Sequence, residues 1–187
     1  MFRITVRGKS AHGASPESGV NPVQILCQIY NGLQSIECSE KPRGSALALT
    51  IGQISAGRAG NVIPEQGFMC GSIRAYEENV RSLAKRRLKE ISEQTAAMYG
   101  GRAEVEFPSE LPATVNDLQV GDEMFGYVKE LVGEEGTMML PQIMGGEDFA
   151  EVLKEAPAFC SGSAWGTSRR GIPISATTPR SYSMKAA

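Results

Sequence analysis

The chain has one histidine, His12, among 187 residues. That scarcity limits the chemistry available. Zinc centres and nucleophile–base relays lean on imidazole, often more than one. No second histidine exists, and no cluster of cysteines and aspartates stands near His12 in sequence. No metal centre or catalytic triad is therefore readable within the chain, and no metal is expected bound to it. An excess of positive charge is also lacking. The 19 Lys and Arg side chains face 21 Asp and Glu, for a net charge of −2. This argues against a nucleic-acid partner bound through broad phosphate neutralisation and leaves small, locally charged ligands open. Aromatics are 6% of the chain, and its strands lack the aromatic pairs that stack RNA bases. Cys27, Cys38, Cys70 and Cys160 have neither metal-knuckle spacing nor the density of a disulfide scaffold. Reduced thiols and a cytoplasmic location are expected. No apolar run reaches bilayer length, and the opening "MFRITVRGKS" has no apolar signal segment, so no membrane partner is expected. There is no Walker loop, no G-x-G-x-x-G and no nucleophile elbow.

What remains is a chain 41% hydrophobic, enough for a core, with readable periodicity. "FRITVR" alternates apolar and polar and predicts a half-buried strand. A Gly/Ser/Pro-rich loop follows. Asn21-Pro22 then reads as an N-cap with proline at the first helical position. Leu26, Ile29, Leu33 and Ile36 recur at helical spacing until "KPRG" ends the helix. Leu47, Leu49, Ile51 and Ile54 predict a second strand that slips at Gly52, and "GFMCGSIRA" a third. The intervening "AGRAGNVIPEQ" reads as an irregular loop. A long amphipathic helix comes next, with Val80, Leu83, Leu88, Ile91, Thr95 and Met98 as its apolar stripe and Gly100-Gly101 as its stop. "RAEVEF" is a fourth strand. The order βαββαβ defines an α+β, ferredoxin-like domain over residues 1–108.

The stretch "PSELPATVN" reads as a linker. Beyond it, "DLQVGDEMFGYVKELVG" predicts a helix. "GTMMLPQIMGGEDFAEVLKEAP" predicts an apolar run, a Gly-Gly turn and another helix, and "AFCSG" the start of a strand. Residues 109–162 bury too little to stand alone and read as an incomplete α/β segment. Residues 163–187 form an irregular tail with no acidic residue after Ser161 and no fitting period.

Several residues carry candidate chemistry, each with a plainer alternative. His12 lies between small residues, with Gly13 beside it, which suits a side chain offered to a ligand; a lone histidine is more often inert. Asn61 in "GNVIP" is a turn asparagine or a ligand contact. Arg74 ends a strand, either solvated or aimed at a carboxylate. Gly145-Gly146 precede a helix, as a simple turn or as a place where backbone approaches a substrate.

"GKSAHGASPESGVNPV", "NVIPEQGFMCGSIRAY", "LPATVND" and "MGGEDFAEVL" occur in an order that resembles the dimetal amidohydrolases and peptidases of metallopeptidase family twenty. The similarity covers about Phe2 to Phe159 and is strongest toward the hippurate-hydrolase-like branch. It implies a ferredoxin-like lid that dimerises, followed by part of a catalytic α/β domain. His12 matches a lid histidine that reaches the neighbouring subunit's site and stabilises an oxyanion. Asn61 matches an asparagine that binds near the scissile amide, and Arg74 an arginine that holds the substrate carboxylate. Gly145 and Gly146 match a turn lining the cleft.

The implied partners are a second copy of the chain and a small-molecule amide substrate such as an N-acyl amino acid. The implied cofactor in the intact enzyme is a divalent metal: zinc, manganese or cobalt. The family's ligands and general base mostly precede the lid, so the chain alone is expected to be inactive. Its alternative description is a non-catalytic dimerisation or binding module. The family's last ligand, a histidine near the C-terminus, is not in the tail. Trp165-Gly166 forces a glycine codon and Met184-Lys185 a glutamate codon in the shifted reading frame, and Ala176 to Pro179 permit His-His-Pro there. A one-base frameshift between about Cys160 and Trp165 is the reading this supports, and residues after about Ser163 are then expected not to pack.

Overall fold

Phe2, Ile4 and Val6 alternate along the first strand, β1 (Phe2–Arg7), and all three are fully buried. Period two places them on one face of a sheet, and that face carries the core. The computed structural model describes residues 1–140, 142–163 and 174–177. In chain order the elements are β1, β2 (Ala11–His12), α1 (Pro22–Ser35), β3 (Leu47–Ala56), β4 (Val62–Ile63), β5 (Gln66–Ala75), α2 (Glu78–Met98) and β6 (Arg102–Glu106). They continue with α3 (Leu118–Val132), β7 (Thr137–Leu140), α4 (Phe149–Glu155), β8 (Ser161–Ser163) and β9 (Ile174–Thr177). The chain divides into two units, residues 1–110 and 111–187.

The first unit is an antiparallel sheet of order β3-β5-β1-β6 with α1 and α2 packed on it. This is the ferredoxin-like arrangement. Helix α1 starts where the sequence predicts. The Asn21 side chain accepts from the Val23 N–H at 3.0 Å, and Pro22 supplies the preset φ of the first turn. Its predicted stripe, Leu26, Ile29, Leu33 and Ile36, is completely buried, together with Ile25. The helix ends through a π-helical turn over Ile36–Glu40, after which Lys41 is extended.

The stripe of α2 differs from the expectation. Val80, Ala84, Leu88, Ser92 and Ala96 are buried, four residues apart, while Met98 is 72% exposed. Leu83, Ile91 and Thr95 are only half-buried. Small residues win this face because the two helices meet closely. A Cβ on Gly32 of α1 would stand 3.0 Å from the Ile91 Cγ2. Ser92 tolerates full burial by donating its hydroxyl to the Leu88 carbonyl at 2.7 Å.

The slip expected at Gly52 is a bulge. Register with β5 shifts between Ile51 and Gln53. Leu47 and Leu49 before it are buried, whereas Ile54 after it is 48% exposed. Strand β3 is also a sheet edge. At its buried end the Glu37 carboxylate accepts the Leu49 N–H at 2.9 Å.

Two loops of the sequence reading contain structure. Residues 8–22 hold β2 and a 3-10 turn, Pro16–Ser18, closed by a bridge between Lys9 and Val20. Residues 57–66 hold β4, which pairs antiparallel with β2.

In the second unit Asp117 caps α3 by accepting the Val120 N–H at 3.0 Å. Strand β9 pairs parallel with β7 and antiparallel with β8. This corrects the expectation that nothing after Ser163 packs. Ile174–Thr177 alternates in a way a strand accepts and takes the edge that β7 offers. The remainder of the irregular tail, 164–173 and 178–187, lies outside the described residues, as do Trp165, Met184 and most positions of the shifted-frame reading.

Candidate functional site

Strands β1 and β5 run on past the sheet at the Arg7/Gln66 end. There the chain forms a two-stranded ribbon of its own, pairing Ala11 with Ile63 and His12 with Val62. Hydrogen bonds lace it along its length. The Gly8 N–H donates to the Glu65 carbonyl at 2.8 Å, the Ser10 hydroxyl to the Ile63 carbonyl at 3.0 Å, and the Gly13 N–H to the Asn61 carbonyl at 2.8 Å. His12, on β2, and Asn61, in the turn just before β4, are 49 positions apart in sequence yet held next to each other, and both are exposed.

The His12 ring is anchored from its own turn. The Ala14 N–H donates to Nδ1 at 3.1 Å, and the Ser15 N–H donates to the His12 carbonyl at 2.9 Å. An Nδ1 that accepts has no proton, so the neutral ring carries it on Nε2. Nε2–H is then the group presented outward, a hydrogen-bond donor.

Arg74 is not part of this cluster. It is exposed and lies opposite Ala48, beyond the Phe2↔Gly71 pair. From Gln66 to Arg74 is eight strand steps of about 3.3 Å, about 26 Å along β5. The sheet thus has His12 and Asn61 at one end and Arg74 at the other. Gly145 and Gly146 belong to the second unit, in exposed irregular chain just before α4. A Cβ on Gly145 would meet only the Ile143 side chain, at an ordinary 3.7 Å. The next residue, Glu147, is close enough for its charge to be felt at Cys160. Burial first, and that charge second, push the Cys160 thiol up, which makes it a poor nucleophile.

Sequence reasoning missed Asn116, which it assigned to a linker. Asn116 is 4% exposed, its Oδ1 accepts the Cys160 N–H at 2.8 Å, and its Nδ2 donates to the Cys160 carbonyl at 3.0 Å. One side chain thus replaces a strand partner for the chain entering β8. "TVND" before a helix signals a cap, which Asp117 supplies, and nothing nearby marks its neighbour.

Among the described residues no three His, Cys, Asp or Glu side chains gather to hold a metal ion. The donor set on hand does not fit the dimetal centre implied by the resemblance. Among the described residues, no helix is long and apolar enough to cross a membrane.

Residues 1–110 are thus a ferredoxin-like sheet carrying a separate two-stranded ribbon that holds His12, with Asn61 beside it. The chain belongs to the M20 peptidase dimerisation domain family, whose model matches residues 1–99. It is 34% identical over 157 residues to thermostable carboxypeptidase 2 of Saccharolobus solfataricus, covering 83% of this chain and 39% of that protein. To the N-acetylcysteine deacetylase of Bacillus subtilis it is 30% identical over 160 residues, covering 84% and 41%. The solved structure of the Bacillus subtilis YXEP protein, described as a dinuclear metal binding peptidase from the M20 family, superposes with a TM-score of 0.61. That match has 26% identity and covers 95% of this chain and 40% of the other. The chain spans about two fifths of the length of these relatives.

Proposed function

We infer that residues 1–110 are the dimerising lid of a metal-dependent amidohydrolase that cleaves the amide of an N-acyl amino acid or similar small substrate. The observation that carries this is the β2–β4 ribbon, which sets an Nε2–H donor on His12 beside Asn61. A donor held ready where negative charge develops stabilises the tetrahedral oxyanion of amide hydrolysis. Asn61 binds near the scissile amide, Arg74 holds the substrate carboxylate bidentately, and Gly145 and Gly146 line the cleft. The divalent metal of such an enzyme, zinc, manganese or cobalt, is held by residues other than the described ones.

The length of β5 makes the dimer part of the function. Arg74 stands about 26 Å along β5 from the Gln66 end where the His12 ribbon is built, too far for a small substrate to bridge within one lid. In a two-fold dimer the Arg74 end of one lid and the partner subunit's His12 can serve one substrate. The β3 edge beyond the bulge, with Ile54 exposed, and the outer face of α1, with Val23 and Tyr30 each 41% exposed, suit a self-complementary contact. For the chain alone, the same features favour a non-catalytic dimerisation module.

The test is a chimera in which residues 1–110 replace the matching lid of the Bacillus subtilis N-acetylcysteine deacetylase. It should hydrolyse N-acetylcysteine, and His12→Ala should cost about 100-fold to 1000-fold in kcat. A folded, metal-loaded dimeric chimera indifferent to His12 would refute the reading.

A further inference from the structure

Gly13 and Ala14 have no assigned part in this chemistry, yet the geometry gives each one. Gly13 lies where the two halves of the ribbon approach closely. A Cβ there would stand 2.8 Å from the Asn61 carbonyl oxygen, 3.2 Å from its carbon and 3.4 Å from the Asn61 Cα. All three atoms are backbone and have no flexible side chain to yield. Glycine is needed here for space, since its φ is not among the positive ones. Its N–H donates across the same gap to the same carbonyl. Ala14 adds the second constraint, its N–H on Nδ1 of His12.

We propose that Gly13 and Ala14 are positioning residues: Gly13 locks His12 and Asn61 into one rigid donor unit, and the Ala14 N–H keeps the imidazole in its Nε2–H form. The proposal rests on the reading of His12 as an oxyanion donor. If Nδ1 were released, the ring could rotate or change tautomer, and an acceptor nitrogen would then face the oxyanion. If Gly13 were enlarged, His12 and Asn61 would move apart while β2 and β4 stayed paired. The ribbon is therefore built as a preformed donor pair rather than as a loop that closes on substrate.

Because His12 is the only histidine in the chain, its imidazole signals are unambiguous. The experiment is nitrogen-15 NMR on the whole chain at about pH 8.5, some two units above the ordinary histidine value. The neutral ring should show the Nε2–H pattern alone, with a scalar coupling across the hydrogen bond from the Ala14 amide to Nδ1. The exposed Gly13 amide should be protected from solvent exchange. In Gly13→Ala, the His12 ring and the Asn61 side-chain signals should both shift, while core methyls of Ile29 and Leu33 stay in place. An Nδ1–H pattern, a tautomer mixture, a missing coupling or an unprotected Gly13 amide would each overturn the proposal. So would a variant in which His12 shifts and Asn61 does not. If Gly13→Ala does not fold, the measurements on the unaltered chain still decide. None of these signals depends on activity. An active chimera with failed NMR removes the positioning claim alone, and an inert chimera with the expected NMR removes the catalytic reading alone.

Discussion

At the scale of single residues, Asn116 shows how much one buried amide can organise. Both hydrogen-bonding ends of its side chain are committed to the backbone of Cys160. Removing them takes those partners from a part-buried N–H and carbonyl. Asn116→Ala should therefore destabilise the second unit by about 1–3 kcal/mol, read as a lower denaturation midpoint. Asn116→Asp should cost at least as much at neutral pH, because a buried carboxylate oxygen then faces the Cys160 carbonyl instead of donating to it. His12 and Asn116 also mark what a sequence can and cannot reveal about residues. His12 stands out by rarity and by its small neighbours. The partner of Asn116 is 44 positions away, and an asparagine before a helix already has an ordinary explanation. Arg74 was legible as a candidate, but its distance from His12 was not, because only strand register separates the two ends of a sheet.

At the scale of elements, α1 is the case where every local signal agrees. Cap, proline, stripe and stop all point the same way, and the helix forms where they indicate. Asn21→Ala should cost about 0.5–2 kcal/mol through the lost cap. Leu33→Ala, at a position with no exposure, should cost about 2–5 kcal/mol. Both are checked by chemical denaturation. Helix α2 is where pattern reading goes astray. Apolar periodicity points to Leu83, Ile91 and Met98, whereas Ala84, Ser92 and Ala96 are the residues buried beside Val80 and Leu88. The ribbon strands β2 and β4 were illegible for another reason. Two residues each are too short for any period, and glycine-rich neighbours read as loop.

The π-helical turn after α1 is tied to α2 by charge. The Arg87 guanidinium bonds both Glu40 and Glu90. Its hydrogen bond is the main reason the Glu40 carboxyl lies below its ordinary 4.5, with the Ser35 hydroxyl helping against the cost of burial. Glu90 is lowered by Arg87 first and Arg86 second. A carboxyl whose value is depressed by folding stabilises the folded state above its ordinary value, and that stability fades as pH falls through the depressed one. Arg87→Met should therefore lower the melting temperature at about pH 7, and the gap from the parent should narrow as pH drops well below 4.5. A gap that widens in acid would contradict the assignment.

At the scale of the whole molecule, the division at residues 110 and 111 predicts that residues 1–110 unfold cooperatively by themselves. The reading of residues 1–110 as a dimerising lid predicts self-association. Sedimentation equilibrium should find a dimer for the chain, and Ile54→Asp on the β3 edge should weaken it at least about tenfold, since a charge is then buried in an apolar contact. A strict monomer at all concentrations would count against the dimeric function.

The Glu37 carboxylate on the Leu49 N–H has a consequence for that same edge. An open strand is a template on which unrelated chains can grow, and ladders of backbone hydrogen bonds are what they grow by. Glu37 takes one rung out of that ladder, at Leu49. Growth on β3 is thereby hindered on the Leu49 side of the bulge. In a Glu37→Ala variant the stretch should become an aggregation site, with fibril formation at concentrations where the parent stays clear.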